Sequence, residues 1–396
     1  MRKLLVIIPD RLSDLVNKGE LTPRYYNPED VFDEVHFLMT NDDKVDMSAL
    51  GPAVGRASVF VHNIPASRRT FALTLGWSPL LLNVWAERGV RLARLIQPDL
   101  VRCHGVELNV YLALRIKKAL GIPYVVSLHG NPDVDYFRGR LAQNFRSRYQ
   151  GKRAEPIEIA GVKNADHVIA VYSPIVPYLE KHHVANYTLI YNSVGYGVEP
   201  KSDYSIHARL KCLSVGRQQS CQKDQTPIID AIAELDDVEL TLIGDGDLHQ
   251  SLVARANKLG IADRVTFLTS LPNARILEEM SGADVYVYSS INYEISKTCI
   301  EAALAALPVV HNDRNGQPSQ EIAAGQFILV AGDKDSYKTA LLRLKNDQHL
   351  REEMGRKARA FAVKHWLPED TERKTADIYR HTLKASVMGR SSRSKQ

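Results

Sequence analysis

The chain has few cysteines, few aromatic residues and no long apolar run. Its 396 residues include four cysteines and are 7% aromatic. The cysteines, at positions 103, 212, 221 and 299, form no C-x-x-C pair and none of the Cys/His spacings typical of a metal site. No apolar run approaches the roughly 18 residues that a membrane-spanning helix needs. These absences favour a protein of the reducing cytoplasm, without a membrane span or a disulfide framework.

The excess of positive charge is also small. The net charge is +5 and the isoelectric point is about 8.8, a bias that does not indicate nucleic-acid binding. No repeat of basic and aromatic residues suggests a nucleic-acid partner either. The chain begins with a short apolar run that Asp10 and Arg11 follow at once, which is too short for the core of a signal peptide. We therefore interpret Leu4–Ile8 as a first buried strand.

Short apolar runs rich in β-branched residues recur along the chain and alternate with helix-length amphipathic stretches. In the first half the predicted strands are Leu4–Ile8, Ser58–His62, Leu100–Cys103, Tyr124–Leu128, His167–Val171 and Thr188–Tyr191. In the second half they are Leu210–Val215, Glu239–Ile243, Val265–Leu268, Val285–Tyr288, Val309–His311 and Phe327–Val330. Continuous apolar strands between helices are typical of parallel sheets covered on both faces. The sequence therefore predicts an α/β protein with two doubly wound domains.

A connector that contains glycine, proline and serine, Gly195–Asp203, separates the two series. We predict one Rossmann-like domain over residues 1–200 and a second over 201–365, with a C-terminal helix over 366–385 that packs back on the first. The polar and basic segment 386–396 is predicted to be disordered. Because such sheets bind ligands beyond the carboxyl ends of their strands, we expect the site in a cleft between the domains.

The segment Glu294–Glu301, Glu-Ile-Ser-Lys-Thr-Cys-Ile-Glu, carries the strongest chemical signal. Its pattern predicts a loop that enters a helix, and an apolar strand follows. The start of a helix has unpaired backbone N–H groups and a partial positive charge, so it favours a phosphate. Carboxylates beside such a site suit hydrogen bonds from sugar or ribose hydroxyls better than contact with the phosphate. A diphosphate and a sugar in one place indicate a nucleotide-sugar.

Two cations follow the first strand of the second series. Arg217 comes just after the strand, and Lys223 lies six residues further on in the same loop. Arginine binds phosphate bidentately and lysine acts as a point charge, although two surface cations in a solvated loop are the alternative.

Gly244 and Gly246 follow another strand, but His249 stands where a dinucleotide fingerprint has its third glycine. A tight turn is therefore predicted there.

These motifs, taken in order, resemble the donor domain of retaining glycosyltransferases of family 4, which have the GT-B fold. In the second half the resemblance rests on Leu213-Ser-Val-Gly-Arg, Leu242-Ile-Gly-Asp-Gly, Ala283-Asp-Val-Tyr-Val-Tyr-Ser-Ser and Glu301-Ala-Ala-Leu-Ala. In the first half it rests on Pro98-Asp-Leu-Val-Arg-Cys-His-Gly, Gly121-Ile-Pro-Tyr-Val-Val-Ser-Leu-His-Gly and Ala165-Asp-His-Val-Ile-Ala-Val-Tyr-Ser. The resemblance covers roughly residues 95–365. It implies a retaining enzyme of the hexosyltransferase type.

The resemblance also implies which residues bind the donor. The implied set is Gly216, Arg217, Lys223, Leu271, Glu294, Ile295, Ser296, Lys297, Thr298 and Glu301. Within it, Arg217 and Lys223 neutralise the diphosphate, and Leu271 lies where the family contacts the base. The backbone over 295–298 meets sugar hydroxyls and phosphate. Glu301 bonds the ribose.

The transferred sugar is assigned to two further residues by the same resemblance. Glu294 bonds its hydroxyls, and His129, at the end of a first-domain strand, faces it across the cleft. The implied catalytic set is His129, Glu294, Arg217 and Lys223. The two glutamates, Glu294 and Glu301, are seven residues apart, one fewer than in the family, and Tyr293 occupies the eighth place.

Cleavage of the sugar–diphosphate bond places negative charge on the leaving phosphate. Preorganised cations and helix N–H groups aimed at that charge are usually the largest catalytic contribution. The sequence has no metal-binding cluster such as Asp-x-Asp in a strand-end loop. We therefore expect neither a metal ion nor another cofactor, in agreement with the metal independence that the GT-B resemblance implies.

The acceptor is indicated by one basic segment alone. Arg138–Arg153 holds six Lys and Arg residues and no acid, with Leu141, Phe145 and Tyr149 in an apolar line at helical spacing. Such a segment suits peripheral contact with an anionic membrane surface or with a lipid-linked diphosphate acceptor. A solvated helix that packs on its own domain is the alternative.

The predicted partners are a UDP-, GDP- or ADP-sugar and a glycan, lipid-linked saccharide or small acceptor. Two other functions stay open at this point. A nucleotide-sugar epimerase would convert the donor without an acceptor, and a non-catalytic nucleotide- or glycan-binding module would bind without turnover. His104 and Glu107, at a strand-to-helix turn, are interpreted as capping or packing residues.

Overall fold

The computed structural model describes the greater part of the chain in two compact units. The described residues are 1–66, 79–106, 108–134, 145–192, 194, 199–219, 223–290, 295–313, 316 and 318–393, with the backbone alone at 79, 145–151 and 389–393. The first unit contains Met1–Asn17, Leu21–Tyr191 and Glu369–Gln396, and the second contains Lys18–Glu20 and Asn192–Pro368. Each unit is built on one parallel sheet, so the predicted α/β fold with two Rossmann-like doubly wound domains is confirmed.

The first unit has a sheet in the order β3-β2-β1-β4-β5-β6-β7, and every described pairing in it is parallel. The strands are β1 Lys3–Ile8, β2 Glu34–Met39, β3 Ser58–Asn63, β4 Leu100–His104, β5 Tyr124–Leu128, β6 His167–Ala170 and β7 Tyr187–Leu189. The α-helices before residue 190 are α1 Leu12–Asn17, α2 Gly51–Val54, α3 Pro79–Ile96, α4 Leu108–Leu120, α5 Phe145–Lys163 and α6 Val176–Lys181. Short 3₁₀ turns lie at Pro28–Asp30, Met47–Leu50 and Ser173–Ile175.

Strand β2 is an element that the sequence prediction omitted. Glu34 and His36 interrupt its apolar run, which hides the strand pattern. In the structure Val35 and the residues Phe37–Met39 are buried. The His36 Nε2 atom lies 3.1 Å from Glu34 Oε2, and Lys3 Nζ of β1 lies 3.1 Å from the same carboxylate oxygen. The strand tolerates its polar residues because they pair with each other and with β1 on one face of the sheet.

The second unit has a sheet in the order β10-β9-β8-β11-β12-β13, again with parallel pairings throughout its described ladders. The strands are β8 Leu210–Val215, β9 Val238–Ile243, β10 Val265–Leu268, β11 Val285–Tyr288, β12 Val309–Asn312 and β13 Ile328–Val330. The helices are α7 Thr226–Ala233, α8 His249–Lys258, α9 Asn273–Gly282, α10 Lys297–Leu304, α11 Gln320–Ala323, α12 Lys334–Asn346 and α13 Gln348–His365. Every strand that the sequence predicts in this half is present.

The strand order creates a topological switch point in each sheet. In the second unit β9 lies on one side of β8 and β11 lies on the other. The connections that follow β8 and β11 therefore depart in opposite directions, which opens a crevice at the carboxyl ends of these two strands. In the first unit the same point lies between β1 and β4. These are the positions at which open α/β sheets bind ligands.

A largely buried ion pair ties the beginning of the second unit to its sheet. The Nζ atom of Lys201 lies 3.1 Å from Asp284 Oδ1 and donates to the carbonyl of Ala283 at 2.9 Å. The other carboxylate oxygen of Asp284 accepts the backbone N–H of Lys211 at 3.0 Å. The two paired side chains are 13% and 10% exposed. Removing one partner would leave the other charge in a poorly solvated place.

The final helix, α14, spans Pro368–Arg393, and almost all of it belongs to the first unit. A carboxylate at its beginning holds it there: Glu372 accepts hydrogen bonds from Arg24 Nη2 at 3.0 Å and from the backbone N–H of Glu29 at 2.8 Å. Ion pairing and backbone contact thus combine at one end of the helix.

Helix α14 continues to Arg393, whereas the sequence predicts disorder over 386–396. Extension of an existing helix adds one backbone hydrogen bond per residue and needs no new nucleation, so a polar composition alone does not end it. Residues 394–396 lie outside the described part of the chain. Among the helices that the structure describes, none combines the length and the apolar character needed to cross a bilayer.

We predict that Asp284→Ala lowers the free energy of unfolding by about 3–5 kcal/mol, because the Lys201 ammonium keeps its burial and loses its carboxylate. Urea unfolding followed by circular dichroism measures the change. Asp203→Ala is the matched control, since Asp203 is 63% exposed and lies 3.6 Å from His207; its effect should stay below about 1 kcal/mol. Equal unfolding midpoints for Asp284→Ala and the parent chain would contradict the prediction.

Candidate functional site

The loop after β8 carries both predicted cations. Arg217 stands at its start with an exposed side chain. Further along, the Lys223 N–H donates to Gln219 O at 2.8 Å and the Gln219 N–H donates to Lys223 O at 3.2 Å; residues 220–222 lie outside the described part. The Nζ atom of Lys223 lies 5.6 Å from the ring centroid of Tyr288, the last residue of β11. The loop thus brings positive charge to the carboxyl ends of β8 and β11.

The loop after β9 packs directly on the loop after β8. Gly244 has a φ of +143°, and a Cβ atom there would collide with the carbonyl oxygen of Gly216. A Cβ atom at Gly246 would collide in the same way with the carbonyl oxygen of Gln218, whose N–H donates to Asp245 O at 3.0 Å. Both glycines therefore serve the close approach of two backbones, and the loop that carries Arg217 is fixed by main-chain contacts.

Helix α10 begins at the same edge of the sheet. Ser296 caps it, because its Oγ accepts a backbone N–H of the first turn at 3.1 Å. The Oγ1 atom of Thr298 accepts a hydrogen bond from the Tyr286 hydroxyl at 2.7 Å and donates to the carbonyl of Val215 at 3.3 Å. Since Val215 ends β8 and Tyr286 lies in β11, these bonds fix the helix start over the switch point.

The electrostatic result is a concentration of positive charge at one place. The N-terminus of α10 carries the positive end of the helix dipole, and Lys297, its first residue, has an exposed side chain. Ile295, which precedes the cap, is fully buried and anchors the approach to the helix. With Arg217 and Lys223 after β8, the arrangement can bind an anion that has several phosphate oxygens.

The carboxylate of Glu301 lies one turn into α10. Glu301 is only 3% exposed. Its Oε1 atom accepts a hydrogen bond from Asn273 Nδ2 at 2.9 Å. Asn273 begins helix α9, two residues after the half-buried Leu271 in the connection that follows β10. The sequence analysis did not identify Asn273; an asparagine at a predicted helix start is usually interpreted as a capping residue.

In the first unit, His129 follows β5 directly and its side chain is exposed. Its Nε2 atom lies 3.4 Å from Nδ1 of His104, the last residue of β4, and the two rings stack with centroids 5.6 Å apart. His104 is buried and packs edge-on against the Tyr26 ring at 5.5 Å. The packing role predicted for His104 thus includes direct contact with His129, which the sequence did not reveal.

The protonation of His104 is set by its surroundings. Burial, followed by the nearby charges of Arg102 and His129, holds the pKa of His104 well below its ordinary value. The ring is therefore neutral at physiological pH and has one donor and one acceptor nitrogen. The rings of His104 and His129 can therefore share one hydrogen bond, between Nδ1 of His104 and Nε2 of His129. Which of the two nitrogens donates depends on the tautomer of His104.

The predicted site residues fall into three groups. The second unit holds Gly216, Arg217, Lys223, Leu271, Ile295, Ser296, Lys297, Thr298 and Glu301, all in connections or first helical turns that follow its strands. The first unit holds His129. Glu294, together with Tyr293, lies outside the described residues, as do Glu107 and the side chains of most of the basic segment 138–153. Of the basic segment, the structure describes the residues from Phe145 onward, which form the first part of helix α5.

Comparison with known proteins adds the family. The sequence model described as "Glycosyltransferase Family 4" matches residues 33–195, and the model described as "Glycosyl transferases group 1" matches residues 204–361. Together the two matched segments take up most of the chain, one in each unit.

Individual relatives are more distant. The lipopolysaccharide core biosynthesis glycosyltransferase LpsD of Rhizobium meliloti is 28% identical over 32% of this chain and 37% of its own length, so that match spans about a third of each protein. The uncharacterized glycosyltransferase MJ1178 of Methanocaldococcus jannaschii is 23% identical over 78% of this chain and 81% of its own. The crystal structure of Anabaena HepE in complex with UDP and glucose superposes with a TM-score of 0.72 at 17% identity, covering 96% of this chain and 100% of that one.

Two parallel-sheet units and the superposition on HepE together give the chain the GT-B fold. The glycosyltransferase models matched in both units support a glycosyltransferase of the GT-B type.

We predict that acid destabilises the folded chain partly through His104. Below about pH 6.5 the unfolded chain protonates this residue and the folded chain does not, so the free energy of unfolding falls by up to roughly 1.4 kcal/mol per pH unit. His104→Gln removes that contribution. Between pH 7.5 and 5.5 the parent should therefore lose about 1 kcal/mol more stability than the variant.

Urea unfolding at the two pH values measures this difference. His207→Gln is the matched control, because the His207 side chain is 86% exposed and should leave the parent's pH dependence unchanged. If the free energy of unfolding falls equally with pH in the parent and in His104→Gln, His104 does not contribute to the loss of stability in acid.

Proposed function

We propose that this glycosyltransferase is a retaining family 4 enzyme that moves a hexose from a nucleoside-diphosphate sugar to a glycan or lipid-linked saccharide. One observation carries the proposal: Arg217 and Lys223 lie in the loop that follows β8, Lys223 Nζ lies 5.6 Å from the Tyr288 ring at the end of β11, and the start of α10 is bonded to the last residue of β8. Three sources of positive charge at one switch point suit a diphosphate. The family match supports a nucleotide-sugar as the molecule that carries it.

The chemistry required of these groups is stabilisation of the leaving nucleoside diphosphate. As the bond between the anomeric carbon and the phosphate oxygen breaks, that oxygen gains negative charge. Arg217 can hold two phosphate oxygens at once, Lys223 adds a compact charge, and the first turn of α10 adds N–H groups. Each preorganised donor of this kind typically contributes about 3–4 kcal/mol to transition-state stabilisation. We propose that they act without a metal ion.

The remaining donor contacts follow the family resemblance. Glu301 accepts hydrogen bonds from the ribose hydroxyls, and Leu271 lies beside the base. Glu294 and His129 contact the transferred sugar, and both roles are taken from the resemblance in sequence. The Nε2 atom of His129 also lies 3.4 Å from Nδ1 of His104.

We propose a UDP-hexose as the donor and a lipid-linked saccharide as the acceptor. HepE was crystallised with UDP and glucose, so UDP-hexoses are the first donors to test, followed by GDP- and ADP-sugars. LpsD is named for lipopolysaccharide core biosynthesis, which makes a lipid-linked saccharide the first acceptor to test. The basic segment 138–153 supports the same choice, since its six cations would favour an anionic lipid surface.

A transfer assay tests this function directly. Purified protein is incubated with each nucleotide-sugar and a set of lipid-linked and free saccharide acceptors, and products are identified by mass spectrometry. We expect acceptor-dependent release of nucleoside diphosphate and a product linkage with the donor's anomeric configuration by NMR. Conversion of the donor without an acceptor would favour an epimerase instead. Binding of a nucleotide-sugar without any turnover would favour a non-catalytic module.

We predict that Arg217→Ala and Lys223→Ala each lower kcat by tenfold or more, because each removes charge from the leaving diphosphate. The initial rate at saturating donor measures this effect, and thermal unfolding confirms that the fold is retained. Lys258→Ala, which removes an exposed cation of α8 in the same unit, serves as the matched control and should leave kcat unchanged. Unaltered turnover in both test variants would eliminate the diphosphate assignment.

A further inference from the structure

We infer that Asn273 is a positioning residue for Glu301 and that it sets the selectivity of the donor site for ribose. The inference rests on the proposed function, which assigns Glu301 to the ribose. Its structural basis is the hydrogen bond from Asn273 Nδ2 to Glu301 Oε1, 2.9 Å long. Asn273 belongs to none of the sequence motifs that indicate the donor site.

The backbone of Glu301 is already fixed by the anchoring of α10. Ser296 caps that helix, and Thr298 bonds to β8 and to β11. The fixed backbone does not set the orientation of the carboxylate plane. The last torsion of a glutamate side chain has a broad distribution and is only weakly restrained by sterics. A hydrogen bond from a neutral amide to one carboxylate oxygen restrains that torsion. Asn273 therefore helps to fix which way the carboxylate lone pairs point.

The backbone of Asn273 is held in place by the start of helix α9. It is the first residue of α9, where Pro272 O accepts the backbone N–H groups of Arg275 at 2.9 Å and Ile276 at 3.2 Å. Its amide group thus projects from a hydrogen-bonded helix start. The contact with Glu301 joins the connection after β10 to the helix after β11, and these strands are not neighbours in the sheet.

A carboxylate held in this way suits a vicinal diol, the 2′- and 3′-hydroxyls of ribose. A carboxylate that lacks this hydrogen bond is less restrained and has to be ordered further when the nucleotide binds, which lowers affinity. A nucleotide without ribose hydroxyls does not bind the Glu301 carboxylate, so its affinity does not include the cost of ordering that carboxylate. The positioning role therefore predicts a loss of affinity that depends on the ribose hydroxyls of the ligand.

The test compares UDP, GDP and ADP with their 2′,3′-dideoxy analogues by isothermal titration calorimetry. For the diphosphate that binds the parent most tightly, Asn273→Ala should raise Kd about tenfold, while Kd for the dideoxy analogue changes less than about twofold. Asn273→Asp keeps the shape of the side chain and places a second carboxylate against Glu301. Its loss for the ribose form should be larger at pH 8 than at pH 5.5, where protonation relieves the repulsion.

Asn257→Ala is the matched control, because Asn257 is an exposed asparagine of the same unit whose Nδ2 donates to Val253 O at 3.1 Å; it should change neither Kd. Equal losses for the ribose and dideoxy ligands in both Asn273 variants would overturn the positioning role and leave a merely structural one. Unchanged Kd values in both variants would overturn it as well.

Glu301→Ala separates this inference from the proposed function. If Glu301→Ala raises Kd for the ribose ligand and the Asn273 variants do not, the positioning role alone is wrong. If Glu301→Ala leaves that Kd unchanged, or the parent binds none of the three diphosphates, the donor site itself is wrong and the inference falls with it.

Discussion

The hydrogen bonds of Thr298 are the contacts on which the site of the second unit depends. They join the start of α10 to the last residue of β8 and to Tyr286 of β11, the two strands that flank the switch point. A helix start held there directs its dipole and its N–H groups at the crevice. The same anchoring sets the position of Glu301 one turn later. The bonds of this one threonine thus fix the start of α10 and, with it, the backbone position of Glu301.

Main-chain contacts also hold together the described parts of the loops after β8 and β9. Gly244 and Gly246 let two backbones meet without side chains between them, and the loop that carries Arg217 is bonded to the loop after β9 rather than to solvent. Charges fixed before the reaction need no reorganisation during it, which is why preorganised electrostatics is so effective in catalysis. In the proposed mechanism Arg217 and Lys223 supply the charge, and the main-chain contacts hold the backbone that carries them.

Much of the fold follows from apolar patterning. Buried parallel strands must be apolar on both faces, so β8 to β13 are visible as short runs in the sequence. Strand β2 was missed because Glu34 and His36 break its run, and only the structure shows that Glu34 pairs with both His36 and Lys3 of the neighbouring strand. The end of α14 was also missed, because composition predicts a solvated tail whereas an existing helix continues at little cost.

The sequence by itself determined the fold class, the two series of strands and helices, and the candidates in the two connections that follow β8 and β11. Residues that touch a neighbour in the chain, such as Ser296 and its helix, leave a local pattern that can be recognised. Only the tertiary structure decided that Asn273 meets Glu301 and that His104 meets His129. These partners lie 28 and 25 residues apart in the chain, in different secondary-structure elements or their connections. No local pattern encodes such a meeting, because it results from the order in which the strands assemble into a sheet.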